Sequence, residues 1–526
     1  MILDRFRFFS WPIAAALFIS FTLSACDGNG NNNNKKRKPQ AENPTVEGPV
    51  TGGGGPDCCK VVIGPIEIDL TELLNYTPGT PFYAGLYFDV AELGYRQTEY
   101  FISGTATSYI ATDEPGADGA WSIEPADAAP FRTRIVVLRP ENSADFNGTV
   151  VVEWLNVSGG TDAAPELVQT HTELMRSGYT WVGVSAQSVG VEGGGAAYNV
   201  SLKAVDPERY GSLSHPGDSF SYDIYSQAAQ AVRNPVDIDP LEGLKVKYMI
   251  GAGESQSAGR MVTYVNAINP TVELFDGFLI HSHGSGSAAL SQDPQVAVPT
   301  PYPTYIRTDI PEPVIDVETE TDIFGSRPPA APQPDADNFR LWEVAGNAHY
   351  DAYGVVKGPR DRGNDPGVAT VIETKSGDSA GIIQCALPIN DGPGHWVLNA
   401  AIASLDRWAR SGKAASSVEP IARNSEGTAL QRDQYGNAVG GVRTPYVDAP
   451  VATFSGSGQT GSTFCFLFGT TELFDEVRLG SLYPTHQAYV DAIDKTTDAA
   501  VDAGVLLPAD AELIKANART SGIGGP

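Results

Sequence analysis

The sequence predicts an α/β fold, a mostly parallel sheet with helices on both faces. Three observations carry this reading. Short apolar runs rich in β-branched and aromatic residues alternate with segments of helical pattern, which is how a parallel sheet with crossover helices reads. The runs are apolar throughout rather than alternating, as strands buried on both faces are. One of them leads through Gly251-Ala252-Gly253-Glu254-Ser255-Gln256-Ser257 straight into a helix-patterned segment.

The elements follow in order. Residues 101–110 and 133–138 read as antiparallel edge strands around a loop at 113–120. Residues 149–155 (TVVVEWL) form the first buried strand. Residues 165–177 read as a helix, with Pro165 in its first turn and Gly178 at its end. Strands are expected at 179–185, 246–250, 275–280, 313–317 and 339–344, with helices at 221–233, 256–268 and 396–410. Two long insertions fall at the carboxyl edge, at 283–311 and 350–393; the first, rich in Pro, Ser and Tyr, suits a lid or substrate wall. Beyond Gly412 the spacing predicts turns within 432–448 and helices at 489–503 and 509–518. No polar linker isolates this extension (about 413–526), so it is expected to pack on the same body.

The first residues read as an address. Arg5 and Arg7 precede an apolar run from Phe8 to Leu23, which ends in Leu23-Ser24-Ala25-Cys26. This order resembles the signal peptides of bacterial lipoproteins, and it implies removal of 1–25 and lipidation of Cys26. Residues 26–58, with an Asn run and Lys35-Lys36-Arg37-Lys38, read as a flexible linker, leaving 59–526 as the folded domain. The expected location is outside the cytoplasm, lipid-anchored to a bacterial membrane and facing the periplasm or the cell surface. Export implies an oxidising compartment. Cys58, Cys59, Cys385 and Cys465 allow three pairings, among which spacing does not choose, and none has the spacing of a thiolate zinc site.

Composition narrows the partners. The 526 residues carry 63 Asp plus Glu against 35 Lys plus Arg, a formal charge of −28. Nucleic-acid binding requires an excess of cations to neutralise phosphates, so it is excluded as the expected activity. The 41% hydrophobic content excludes a mostly disordered chain.

The string at 251–257 carries the chemistry. A strand, then Gly-x-Ser-x-small, then a helix forms a tight turn that lifts a serine hydroxyl above the sheet. Ser255 is the candidate nucleophile, and the backbone amide of Gln256 a candidate oxyanion donor. Ser257 stands where the pattern usually has a second glycine. With this string the chain resembles the α/β-hydrolase superfamily over about 149–410. The stretches YFISGTATSY, VVEWLNVSGG, YMIGAGESQSAGR, INDGPGHWVLNAA and LYPTHQAYVDA resemble the bacterial "alpha/beta hydrolase domain" proteins. The resemblance implies a Ser-acid-His triad in that chain order. Its habit of strand, short turn and acid favours Asp322, with Glu320 as the alternative; Asp316 and Glu318, within or at the end of the strand, are less suited to reach the triad histidine. The histidine after the last strand is His349, with His395 as the alternative. The second oxyanion amide is expected near Val157 or Ser158, before Gly159-Gly160.

His281 and His283 form an HxH pair at the same edge, but no third ligand stands at a telling spacing, so neither metal nor organic cofactor is expected. The reading is a serine hydrolase of carboxylic esters acting on a small-molecule or polymer-derived substrate. An acyltransferase or peptidase of the same fold, or a non-catalytic surface-binding lipoprotein, is the alternative.

Overall fold

The computed structural model describes residues 45–46, 79–195, 200–324, 331–375, 383–462 and 464–525. The expected signal segment 1–25, Cys26, Cys58 and Cys59 lie outside the described residues. Within the segment expected as linker, β1 (Thr45–Val46) is described, and it pairs antiparallel with Ser103 and Ile102.

The core is one nine-stranded sheet. After β1 come β2 (Tyr95–Ala111), β3 (Ile123–Pro140) and β4 (Thr149–Trp154). Helix α1 (Pro165–Arg176) crosses to β5 (Thr180–Val184), and α2 (Ser221–Arg233) to β6 (Tyr248–Glu254). Helix α3 (Gln256–Thr263), continued by a π-turn at Tyr264–Ile268, leads to β7 (Gly277–His281). Then come β8 (Val314–Thr319), the single turn α4 (Glu320–Ile323), β9 (Phe339–Val344) and α5 (Gly394–Ser411). The spatial order is β1-β2-β3-β5-β4-β6-β7-β8-β9. Pairing is antiparallel from β1 to the β3/β5 contact and parallel from β5 to β9.

This order places the site. β4 has β5 on one side and β6 on the other, so the connections leave in opposite directions and a crevice opens at the carboxyl ends of the strands. Ser255 follows β6 directly at that edge.

Every residue of β4 is buried, because successive side chains feed different layers. Val151 packs with Trp181, Ile250, Leu279, Ile315 and Trp342 against α1 and α5. Val150 and Val152 pack with Val182, Met249 and Phe278 against α2 and α3. The extension beyond Gly412 contributes α6 (His486–Asp502) and α7 (Pro508–Thr520), whose Tyr489, Ile493 and Ile514 join the same layer as Trp342 and Leu405. It also holds an antiparallel pair, β10 (Ala452–Ser455) and β11 (Thr470–Leu473), which the sequence pattern did not predict. Cys385 and Cys465 form a disulfide, fixing one of the pairings that spacing left open.

Strands β2, β3 and β6 differ from expectation in length. β2 and β3 run to 17 and 18 residues and absorb the mismatch through an irregularity at Thr107/Tyr109. β6 continues through Gly251 to Glu254, so its glycines belong to the strand. A Cβ at Gly253 would stand 2.9 Å from Met261 Cγ and from the Ser257 carbonyl. The glycine lets α3 lie against the strand that feeds it.

One buried polar knot joins the antiparallel half to the crevice. Arg134 of β3 is fully buried and donates to Glu99 (2.6 Å), Asp162 (2.9 Å), the Ser185 hydroxyl (2.9 Å) and the Phe82 carbonyl (2.5 Å). Arg209 shares Glu99 at 2.6 Å. Asp162 thereby pins the loop that follows β4. Arg134→Ala leaves Asp162 buried without its cation and is expected to lower stability by about 3–5 kcal/mol. Urea unfolding monitored by circular dichroism measures this, and a loss below about 1 kcal/mol contradicts it.

Candidate active site

Ser255 occupies a backbone conformation rare for a residue with a side chain, φ 57° and ψ −117°. Four hydrogen bonds hold it there. Its N–H donates to the His281 carbonyl at 2.8 Å, and its own carbonyl accepts from Gly259 N–H at 3.0 Å. Ser257 Oγ donates to the Glu254 carbonyl (2.8 Å) and accepts from the Glu254 N–H (3.1 Å). The serine standing in place of the usual glycine therefore stitches the turn closed. Gln256 begins α3, so its amide is among the first-turn donors that have no intrahelical acceptor.

His349 Nε2 lies 2.7 Å from Ser255 Oγ, and His349 Nδ1 lies 2.5 Å from Asp322 Oδ1. The other oxygen of Asp322 accepts from the N–H (2.9 Å) and the hydroxyl (2.6 Å) of Thr319, the capping box of α4. The loop carrying His349 is tied to the same turn. His349 N–H donates to Thr321 Oγ1 at 3.1 Å, and Glu320 N–H donates to the Asn347 carbonyl at 3.2 Å.

The expected alternatives sit elsewhere. Glu320 accepts from Gly346 N–H (2.8 Å), Gly456 N–H (3.1 Å) and Arg432 (2.8 Å), so it holds the histidine loop rather than the histidine. His395 is buried in the core with its ring stacked on Tyr353, centroids 3.5 Å apart, and neither ring nitrogen has a hydrogen-bond partner among the described residues. Burial pushes it well below the ordinary histidine value. Ser158 N–H is already committed to Asn156 Oδ1 at 2.8 Å, and Val157, a buried residue, accepts at its carbonyl from Gly160 N–H. Of the two residues offered for the second oxyanion amide, Val157 is the one whose amide remains to be considered.

The cleft above Ser255 has a volume of about 400 Å³. The insertion after β7 supplies one wall through Ser282, Ser287 and Tyr302, and the segment beside the disulfide supplies Phe466 and Leu467 on the other. Trp154 and Trp396, aromatic residues that a cleft could have used, are core residues instead.

A sequence profile described as "Alpha/beta hydrolase domain" matches residues 46–516. The chain belongs to this family. No curated protein matches it. Among solved structures, a glucuronoyl esterase from Solibacter usitatus is similar at 10% identity and TM-score 0.25, over 56% of this chain and 83% of that one. A carboxylesterase from Lactobacillus plantarum aligns at 13% identity and TM-score 0.21, over 41% and 72%. Acetyl xylan esterase 1 from Thermoanaerobacterium aligns at 12% identity and TM-score 0.21, over 38% of this chain and half (50%) of that enzyme.

In this alpha/beta hydrolase the edge also holds carboxylates that the sequence reading passed over. Glu254, directly before Ser255, is buried with Oε1 3.5 Å from His349 Nε2, and it accepts from the Asn156 amide at 3.2 Å. Glu166 of α1 pairs with His281 Nδ1 at 3.0 Å. Glu254 was discoverable only as the last strand residue before the serine; nothing in linear spacing links Glu166 to His281. Burial raises Glu254 to about 7 despite the pull of His349 and His281. Burial opposes the charge on Asp322, but the His349 charge and its hydrogen bond hold it down at about 2. Burial likewise works against a charged His349, yet Asp322 first and Glu254 after it raise it to about 9.

Both carboxylates favour the imidazolium, so removing either lowers the His349 pKa from about 9 toward the ordinary histidine value. With seven histidines in the chain, a histidine-selective NMR titration can follow this. Asp322→Asn is expected to give the larger fall and Glu254→Gln the smaller one. An unchanged midpoint in both variants contradicts the assignment of the two fields.

Proposed function

We propose that the chain is a serine hydrolase of carboxylic esters, with Ser255 as nucleophile, His349 as general base and acid, and Asp322 as the group that orients the imidazole. The observation that carries this is the continuous path from Ser255 Oγ through both nitrogens of His349 to Asp322 Oδ1. Such a path lets the imidazole accept a proton on one side while a carboxylate stabilises the resulting charge on the other.

Ser255 Oγ attacks the ester carbonyl as its proton passes to His349 Nε2. The tetrahedral oxyanion takes hydrogen bonds from the Gln256 amide and from the loop after β4, where the Val157 amide is the candidate. The imidazolium returns its proton to the leaving alkoxide, and the acyl group remains on Ser255. Water then attacks the acyl-enzyme, His349 takes its proton, and the acid leaves as Oγ is reprotonated. A polar wall at Ser282 and Ser287 facing Phe466 and Leu467 suits an ester with both polar and apolar parts. We also read Cys26 as a lipid-bearing residue that holds the enzyme at a bacterial membrane outside the cytoplasm. The ordered basic, apolar and small-Cys segments at the start of the chain support that reading.

The test is fluorophosphonate labelling of the full chain with peptide mapping, run beside turnover of short-chain p-nitrophenyl esters. Label is expected on Ser255, and both label and turnover are lost in Ser255→Ala. His349→Ala is expected to lower kcat by at least about 10³-fold, while His395→Ala leaves turnover within about tenfold of wild type. Because the base acts only when neutral, kcat/KM is expected to rise with pH up to the His349 value of about 9 rather than to level off near the ordinary histidine pKa. A folded chain that takes no label and turns over no ester overturns the proposal.

A further inference from the structure

Beside Asp322, an imidazole and two carboxylates converge without a role in the chemistry above. Asp316 and Glu318 are alternate residues of β8, so their side chains leave the same face of the strand. His283 lies on the loop after β7, the neighbouring strand. His283 Nε2 stands 3.1 Å from Asp316 Oδ2 and 3.3 Å from Glu318 Oε1, and the three side chains are 5%, 5% and 9% exposed. One donor atom from each residue falls within 4.8 Å of the others.

Three observations distinguish this cluster from an ordinary buried ion pair. Asp316 Oδ1 is buried and has no hydrogen-bond partner among the described residues, so the cluster holds an acceptor that they leave open. The three residues line a small, partly open space of about 30 Å³, enough for one ion or one water. His283 Nδ1 is 2.9 Å from the Gly286 carbonyl, and donation there directs Nε2 at the carboxylates, the arrangement by which proteins orient a ligating imidazole. Arg423, on the wall of the same space, is committed to Glu343 at 2.6 Å.

We infer that His283, Asp316 and Glu318 form a binding site for one divalent transition-metal cation of the zinc or manganese class. Atoms about 2.1 Å from a shared ion stand roughly 3.0–3.4 Å apart when they subtend tetrahedral or right angles, which is the spacing seen between Nε2 and each carboxylate oxygen. One imidazole nitrogen with two carboxylates is a borderline donor set. It suits these cations better than calcium, which takes six to eight oxygens. Entry of the cation displaces the Nε2 proton to solvent, and the three groups pass from hydrogen-bond partners to ligands.

The cation would sit outside the reacting atoms and act as a positioning element. It would clamp the end of β8, which leads into Asp322, to the loop after β7, whose Ser282 and Ser287 wall the cleft. The sequence hid the site because the HxH pair divides. His281 turns to Glu166, and the missing ligands of His283 come from another strand rather than from nearby sequence.

The test uses the untagged full chain in detergent, stripped with a chelator and desalted, then incubated with Zn²⁺, Mn²⁺ or Ca²⁺ separately. Elemental analysis after a second desalting reads retained metal, and thermal unfolding reads the stabilisation. We expect about one equivalent of Zn²⁺ or Mn²⁺ per chain with a raised Tm, at least about tenfold weaker binding in Asp316→Asn and His283→Gln, and undiminished binding in Ser255→Ala. No retention by the wild-type chain, retention of Ca²⁺ alone, or equal retention in folded Asp316→Asn and His283→Gln overturns the inference. The wild-type measurement decides the matter even where a variant fails to fold.

Discussion

The backbone of Ser255 is the constraint on which the rest of the site depends. A residue at φ 57° and ψ −117° is costly, and it persists only where its surroundings over-determine it. The surroundings here do so from both neighbouring elements. The β7 strand holds the Ser255 amide, α3 holds its carbonyl, and Ser257 closes the Glu254 backbone on itself. Gly253 permits the close approach of α3 that makes this possible, since any Cβ there meets Met261 and the Ser257 backbone. The backbone that carries the hydroxyl is thus set by its own turn, and His349 reaches it from another strand end.

That contact is surrounded by buried charge. Glu254 sits under the array, Asp322 beside it and Glu166 behind it, and the facing cations are imidazoles rather than lysines or arginines. A histidine is a poor fixed cation but a good carrier of a movable proton. Crowding carboxylates around His349 stabilises its charged form, which is the form the proposed mechanism generates when Ser255 gives up its proton. The same crowding raises the pH at which the resting imidazole becomes free to act. Glu254, raised by burial to about 7, is itself ionised where His349 titrates and so adds to that effect.

Legibility in the sequence followed the range of the interaction concerned. Interior strands and crossover helices were readable because burial on both faces leaves a continuous apolar run, as in 149–154, and because Pro165 and Gly178 punctuate α1. Ser255 was readable because a strained turn demands small neighbours within two residues. His349 and Asp322 were readable in position, as the first histidine after β9 and the acid after β8. Their contact with Ser255 was not, since it depends on three separate strand ends. The π-turn after α3, the β10–β11 pair and the Cys385–Cys465 link were not legible. The disulfide joins residues 80 positions apart, a contact that spacing does not encode. His395 illustrates the converse. A histidine after Gly-Pro-Gly looked like a cleft residue, but the closing helix buries its first turn against Tyr353.

The acidic run after β7 shows how one local change of conformation sorts chemically similar residues. Asp316, Glu318, Glu320 and Asp322 occur at every second position, so a strand continued through all four would aim them at one face. Only the first two obey that period, and both face His283. At Thr319 the chain turns into α4, and the period of two ends. Glu320 then swings to Arg432 and the backbone of the histidine loop, and Asp322 caps its own helix with one oxygen while the other reaches His349. The capping box is therefore more than a helix start. By bending the strand at Thr319, it turns Asp322 away from His283 and into direct contact with His349.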